Sequence, residues 1–173
     1  MSDHVAEIES GKLRGVVLRG AHAFLGVPYG APTGGRHRFL PPRPPAPWRA
    51  IRDATGCRVK APQLLPDLPL FPLLDPPDLA PSSEDCLTLN VWTPATDAGR
   101  RPVMVWFHGG AFQYGSSNHP RLQGMRLCRR DVVLVTVNQR LDVFGHLDLS
   151  EVGGEAFAHS ANAGTLDMVA ALE

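Results

Sequence analysis

The chain has 173 residues, 43% of them hydrophobic, enough for one buried core and with no need of two. Seventeen basic residues balance seventeen acidic ones, so there is no net field to hold a phosphate backbone or an anionic membrane surface, and neither nucleic acid nor membrane is expected as a partner. Residues Met1 to Glu7 include acidic side chains and no apolar leader core, and no run approaches the ~20 apolar residues of a bilayer span, which points to a soluble, cytoplasmic product.

In chain order, Val5 to Ile8 and Leu13 to Leu18 flank Glu9-Ser10-Gly11, two short β-branched runs around a turn, and predict a small antiparallel hairpin. From Pro28 to Pro81 lie fourteen of the seventeen prolines, each fixing φ and removing a backbone donor, so long helices and central strands are excluded there. That segment still holds Phe39, Trp48, Leu64, Leu65, Leu70, Phe71, Leu73 and Leu74, and is expected to be irregular but packed on a core. Leu87 to Trp92 alternates as a half-buried strand does, a turn at residues 93–99 follows, and Val103 to Phe107 forms a second, buried strand. Arg121 to Arg130 carries apolar residues near helical spacing, with Gly124 as its weak point, and Val132 to Val137 is an uninterrupted β-branched run. Strand, helix and strand in this order predict a parallel α/β unit. The last element is a helix over Ala163 to Glu173, with Asn162 as N-cap and an apolar face of Leu166, Val169 and Ala170. No glycine or proline closes it, which reads as a domain that continues beyond Glu173.

Residues Met104 to Gly115 hold the chemistry. An apolar strand breaks into His108-Gly-Gly-Ala-Phe112, and a lone Gly-Gly is most often an ordinary tight turn. Yet glycines also let a backbone bring N–H groups close to a ligand atom, and amides aimed at a carbonyl oxygen stabilise the negative charge it gains during acyl transfer. Their place after a strand puts them at the carboxyl edge of a sheet, where α/β folds bind ligands. Gly109, Gly110 and Ala111 are therefore the candidate oxyanion-hole residues.

The wider context resembles the type B carboxylesterase family, the α/β-hydrolase group of para-nitrobenzyl esterases, carboxylesterases and cholinesterases. The motifs that carry the resemblance are Phe24 to Pro32, Arg38-Phe39 with Pro41-Pro42, Pro47-Trp48, Ser83 to Trp92, Val103 to Phe112, Val135 to Leu141 and Asn162 to Asp167. They cover nearly the whole chain, and Ser83 to Trp92 is the most specific of them. The resemblance implies that residues 1–173 are the N-terminal part of an α/β-hydrolase domain: a small hairpin, a proline-rich irregular segment and the first strands of a large mixed sheet. Phe24 to Pro32 would be an early loop. It further implies a serine ester hydrolase acting on a small-molecule carboxylic ester through an acyl-serine intermediate, with no cofactor and no metal. The oxyanion amides would be those of Gly110 and Ala111, with Gly109 shaping the loop. Arg38 would pair with Glu84, and Arg140 with Asp167.

The chain departs from the family pattern at Gln139, Asp142, His146 and Met168; Asp142 stands where the family has glycine and would be strained if that position has positive φ. Cys86 matches a cysteine that closes a disulfide in secreted members, but Ala61 stands at the partner position and Cys57 lies four residues early; reduced thiols are expected. None of the eight serines lies in Gly-x-Ser-x-Gly, so nucleophile, acid and base are expected outside the chain, and the chain by itself should not turn over. His108 is read as positioning the loop, and His119 and His159 as surface histidines. The alternatives are a non-catalytic cholinesterase-like binding module and a nonfunctional truncated product.

Overall fold

The computed structural model describes residues 4–56, 59–64 and 78–173. One mixed sheet organises them. Its strands are β1 (His4–Ile8), β2 (Gly11–Leu18), β3 (Ala21–Pro28), β4 (Arg52–Asp53), β5 (Thr88–Thr93), β6 (Val103–Phe107) and β7 (Val133–Val137), in the order β1-β2-β3-β5-β7-β6 with β4 beside β2. Along that order pairing is antiparallel from β1 to β7, whereas β6 joins β7 and β4 joins β2 in parallel. The crossover between β6 and β7 contains the short helix α1 (Met125–Cys128). Helices α2 (Asp142–His146) and α3 (Ala163–Ala170) follow β7.

The hairpin forms where the pattern placed it, with Ile8 opposite Gly11. Gly11 is obligatory: at φ 144 it faces Trp48, whose indole Nε1 lies 2.6 Å from where a Cβ would stand. Trp48 donates its indole N–H to the Lys12 carbonyl (2.8 Å) and its amide to Ser10 (2.9 Å), which fastens the proline-rich segment to the sheet. Leu13, Phe24, Val27 and Ala54 form the apolar cluster beneath it. Leu64, by contrast, is 81% exposed, so packing on the core does not extend to it. Leu65, Leu70, Phe71, Leu73, Leu74 and Cys57 lie outside the described residues.

Four expectations need correction. Phe24 to Pro28 is not loop but the second half of β3, the strand that carries the fully buried Ala23. Its Gly26 (φ 72) forms a bulge between the Phe24–Val91 and Val27–Leu89 pairs, so one glycine bends the strand and does not end it. Strand β6 is not buried: Val103, Met104 and Trp106 are half exposed, and among the described residues β6 pairs with β7 alone, at the end of the sheet. The helix in the crossover is confined to four residues, and Gly124 is required there, since a Cβ would stand 2.3 Å from Cβ of Trp92. Finally, α3 buries Ala163, Gly164 and Asp167, whereas Val169 is half exposed; an ion pair, and not an apolar stripe, decides which face turns inward.

Cys86 and Cys128 are buried free thiols. Burial pushes the Cys86 thiol up to about 12, so it is a packing residue and not a nucleophile. Ala61 shares its cluster with Leu87 and Leu141. Among the described residues, no helix is long and apolar enough to cross a membrane.

Candidate active site

Parallel pairing of Phe107 with Val137 places the carboxyl ends of β6 and β7 side by side, so the segments that leave them run together. After β6 come His108 and the glycine loop, and its backbone is unusual. Gly110 (φ 120), Ala111 (φ 52), Phe112 (φ 63) and Gly115 (φ 124) all lie at positive φ. Two of the four are not glycine, at about 1–3 kcal/mol each, a cost the surrounding structure has to offset.

The loop closes on itself through the Gly110 carbonyl, which accepts from the amides of Gln113 (3.0 Å) and Tyr114 (3.3 Å). Nothing but glycine fits at 110, since a Cβ would stand 1.8 Å from the Tyr114 carbonyl oxygen. Gly109 has open space at the same test. Among the described residues, no acceptor takes the amides of Gly109, Gly110 or Ala111. Two clefts border the loop, one of about 380 Å³ lined by Trp106, His108, Gly109 and Gly110 among others, and one of about 350 Å³ lined by Ala111, Phe112, Asp142 and His146 among others.

His108 sits under this loop. Its Nδ1 is 2.8 Å from the Gly109 carbonyl, an acceptor only, so Nδ1 carries the proton. Burial lowers its pKa and the Gly109 hydrogen bond opposes that shift. The ring thus donates into the loop's own backbone. Asp142 occupies positive φ (51°), as the departure from glycine implied, and its amide donates to the Phe112 carbonyl at 2.7 Å. The Phe112 and His146 rings meet edge to face, centroids 5.0 Å apart.

Side chains that sequence reasoning did not single out hold the far end of the loop. Gln63 clamps Gly115, accepting from its N–H and donating to its carbonyl, both at 2.8 Å. Ser116 donates to Asp78 (2.7 Å), and Ser117 donates its amide to Asn138 Oδ1 (2.8 Å). The Ser117 carbonyl accepts from Asn90 Nδ2 (3.1 Å) and Thr136 Oγ1 (3.0 Å). Asn90 turns its other atom, Oδ1, to the Gly26 amide at the bulge (2.9 Å). Asn90, Thr136 and Asn138 are buried on adjacent strands or just past them. A signal was present at one of them: Asn90 interrupts a run otherwise suited to a strand, and asparagine is depleted in strands unless its amide is used.

Both expected ion pairs form. Arg38 meets Glu84 through two hydrogen bonds of 2.6 and 2.5 Å, and that contact holds the Glu84 carboxyl below its ordinary range. Arg140 meets Asp167 at 2.8 and 2.7 Å with both side chains essentially buried. Arg140 also donates to the carbonyls of Leu40 (2.8 Å) and Ala163 (3.3 Å), and its amide to Asp167 (3.0 Å), so almost nothing of the pair is left unsatisfied. Among the described residues, no group of three or more His, Cys, Asp or Glu could hold a metal.

A mixed sheet with a parallel strand–helix–strand unit, opening at its carboxyl edge into this glycine loop, defines an α/β-hydrolase. The chain belongs to the carboxylesterase family, whose sequence profile matches residues 2–173. It is 39% identical to a para-nitrobenzyl esterase of Bacillus subtilis (strain 168) over 174 residues, which cover 100% of this chain and 34% of that protein. A phenmedipham hydrolase of Pseudarthrobacter oxydans is 41% identical over 144 residues, 83% of this chain and 29% of its own. Among solved structures, a carboxylesterase of Geobacillus stearothermophilus matches with a TM-score of 0.85 at 43% identity, over 97% of this chain and 33% of that one. The chain thus spans about a third of the length of these relatives.

Proposed function

We propose that this chain supplies the oxyanion-stabilising part of a carboxylic ester hydrolase that works through an acyl-serine intermediate, without metal or cofactor. The observation that carries the reading is the pair of amides at Gly110 and Ala111, which have no acceptor among the described residues and lie at the carboxyl edge of the sheet. A tetrahedral intermediate formed there would accept both N–H groups. Because the loop geometry is already set, no reorganisation would be needed when charge appears, and each such donor is worth about 2.7–4 kcal/mol of transition-state stabilisation. Gly109 shapes the approach and His108 keeps the loop in place. The substrate is a small-molecule carboxylic ester.

No serine of the 173 lies in a Gly-x-Ser-x-Gly turn, so the chain by itself has no esterase turnover, and nucleophile, acid and base come from a complete domain. The test is a chimaera in which this chain replaces the matching N-terminal third of the Bacillus subtilis para-nitrobenzyl esterase. The chimaera hydrolyses para-nitrophenyl acetate and the isolated chain does not. Enzyme-like turnover by the isolated chain, abolished by changing one of its serines, would refute the reading, as would a folded chimaera whose Gly110→Ala variant keeps full kcat.

A further inference from the structure

We propose that Gln63 is a positioning residue of the glycine loop: its two-way hydrogen bond with the main chain of Gly115 fixes the direction in which the Gly110 and Ala111 amides point. The proposal rests on the oxyanion reading above and adds to it a residue from the proline-rich segment, 52 positions away in sequence.

The side-chain amide of Gln63 behaves as a peptide unit would in an antiparallel pair. Its Oε1 accepts the Gly115 N–H at 2.8 Å and its Nε2 donates to the Gly115 carbonyl at 2.8 Å, while the second Nε2 hydrogen goes to the Ala61 carbonyl at 3.0 Å. The orientation has one solution, because a flipped amide would set donor against donor at Gly115 and acceptor against acceptor at Ala61. Among the described residues, these are the only hydrogen bonds to the main chain of Gly115.

Packing carries the restraint from Gly115 to the front of the loop. A Cβ on Gly115 would stand 2.1 Å from Nδ1 of His108 and 2.5 Å from the Gly109 carbonyl oxygen, so the end of the loop presses on its beginning. The same His108 Nδ1 donates to that Gly109 carbonyl. Gly110 in turn faces the Tyr114 carbonyl. A shift of Gly115 therefore displaces the His108 ring, the Gly109 carbonyl and the peptide planes that aim the next two amides. On the other side, Ser116, Ser117 and Asn118 are tied to Asp78, Asn138 and Asn90. Gln63 holds Gly115, the residue at which that fixed segment meets the strained one.

The test uses Gln63→Glu, which keeps the shape and sets a carboxylate against the two carbonyls, and Gln63→Met, which keeps volume and loses all three hydrogen bonds. Amide signals of Gly110 and Ala111 in the full 173-residue chain are compared by nuclear magnetic resonance, alongside thermal melting. In the chimaera, kcat and KM for para-nitrophenyl acetate are measured. The expected result is that the Gly110 and Ala111 signals move in both variants and that kcat falls about 10- to 100-fold with KM within twofold. Unmoved Gly110 and Ala111 signals, an unchanged kcat, or loss of the fold in both variants would overturn the proposal, the last by making Gln63 a stability residue. Should Gly110→Ala leave kcat intact, the oxyanion reading fails by itself, and the amide signals still decide whether Gln63 sets the loop.

Discussion

The amide of Asp142 donates to the carbonyl of Phe112 at 2.7 Å, and both residues hold positive φ without being glycine. The bond joins the loop after β6 to the start of α2, so the strain at each position is held by the other. Asp tolerates this region better than alanine because its short polar side chain relieves part of the conflict. Asp142→Gly removes the steric cost, and Asp142→Ala raises it. The expected outcome in urea denaturation is a variant at or above the parent stability for Gly and a loss of about 1 kcal/mol for Ala. Equal stability of the two variants would contradict the strain argument.

Gly109 and Gly110 are neighbours with opposite demands. Open space surrounds a Cβ at 109, whereas at 110 it would meet the Tyr114 carbonyl oxygen at 1.8 Å with φ at 120°. Gly109→Ala is expected to melt within a few degrees of the parent. Gly110→Ala is expected to cost on the order of 3 kcal/mol, the size of a strained backbone change combined with a clash. Paired melting curves check this, and tolerance at 110 would show that the loop can adopt another course.

Arg140 and Asp167 are a buried ion pair whose remaining donors go to the carbonyls of Leu40 and Ala163. Removing one charge strands the other, so Asp167→Asn should destabilise by about 3–5 kcal/mol. Replacing both, as Arg140→Met with Asp167→Leu, should recover only part of the loss. The double change takes the acceptor from the amide of residue 140 and the side-chain donors from the Leu40 and Ala163 carbonyls. Denaturant midpoints of the three variants measure the coupling, and full recovery in the double variant would mean the accessory hydrogen bonds contribute little.

His108 has its pKa lowered by burial. The unfolded chain takes up that proton near pH 6.5 while the folded chain resists it, so the unfolded state binds more protons on acidification. Stability from this group is complete above about pH 6.5 and is lost as pH falls toward the folded value. Burial and His4 lower His22 in the same direction, so the contrast that isolates His108 is the parent against His108→Asn. The variant should show a shallower loss of denaturant midpoint between pH 7.5 and pH 5.5. An identical slope would show that His108 does not resist the proton.

Local patterns made much of this legible. The hairpin, β6, β7 and the glycine loop each rest on short-range signals, and the two arginine–carboxylate pairs followed from the family resemblance. Strand β3 escaped because Gly26 and Pro28 imitate a loop signal, whereas the register shift against β5 and the Asn90 carbonyl at the Gly26 amide show that the glycine is a bulge. The exposure of β6 could not be read from Val103 to Phe107, because an apolar run does not say what covers its faces. Gln63 and Asn138 were invisible for a related reason: each works on a main-chain group more than twenty residues away, at Gly115 and Ser117. Asn90 alone offered a warning, a buried amide in the middle of a strand.

The Gly110 and Ala111 N–H groups can be watched directly. In the chimaera with the Bacillus subtilis relative, labelled with nitrogen-15, diethyl para-nitrophenyl phosphate would attach a tetrahedral phosphoryl group, with its oxygen where the ester oxyanion forms, to the nucleophilic serine. The account predicts that the amide proton signals of Gly110 and Ala111 move downfield together on modification, as they gain strong hydrogen bonds to that oxygen. Complete modification of the serine with both signals unmoved would contradict it.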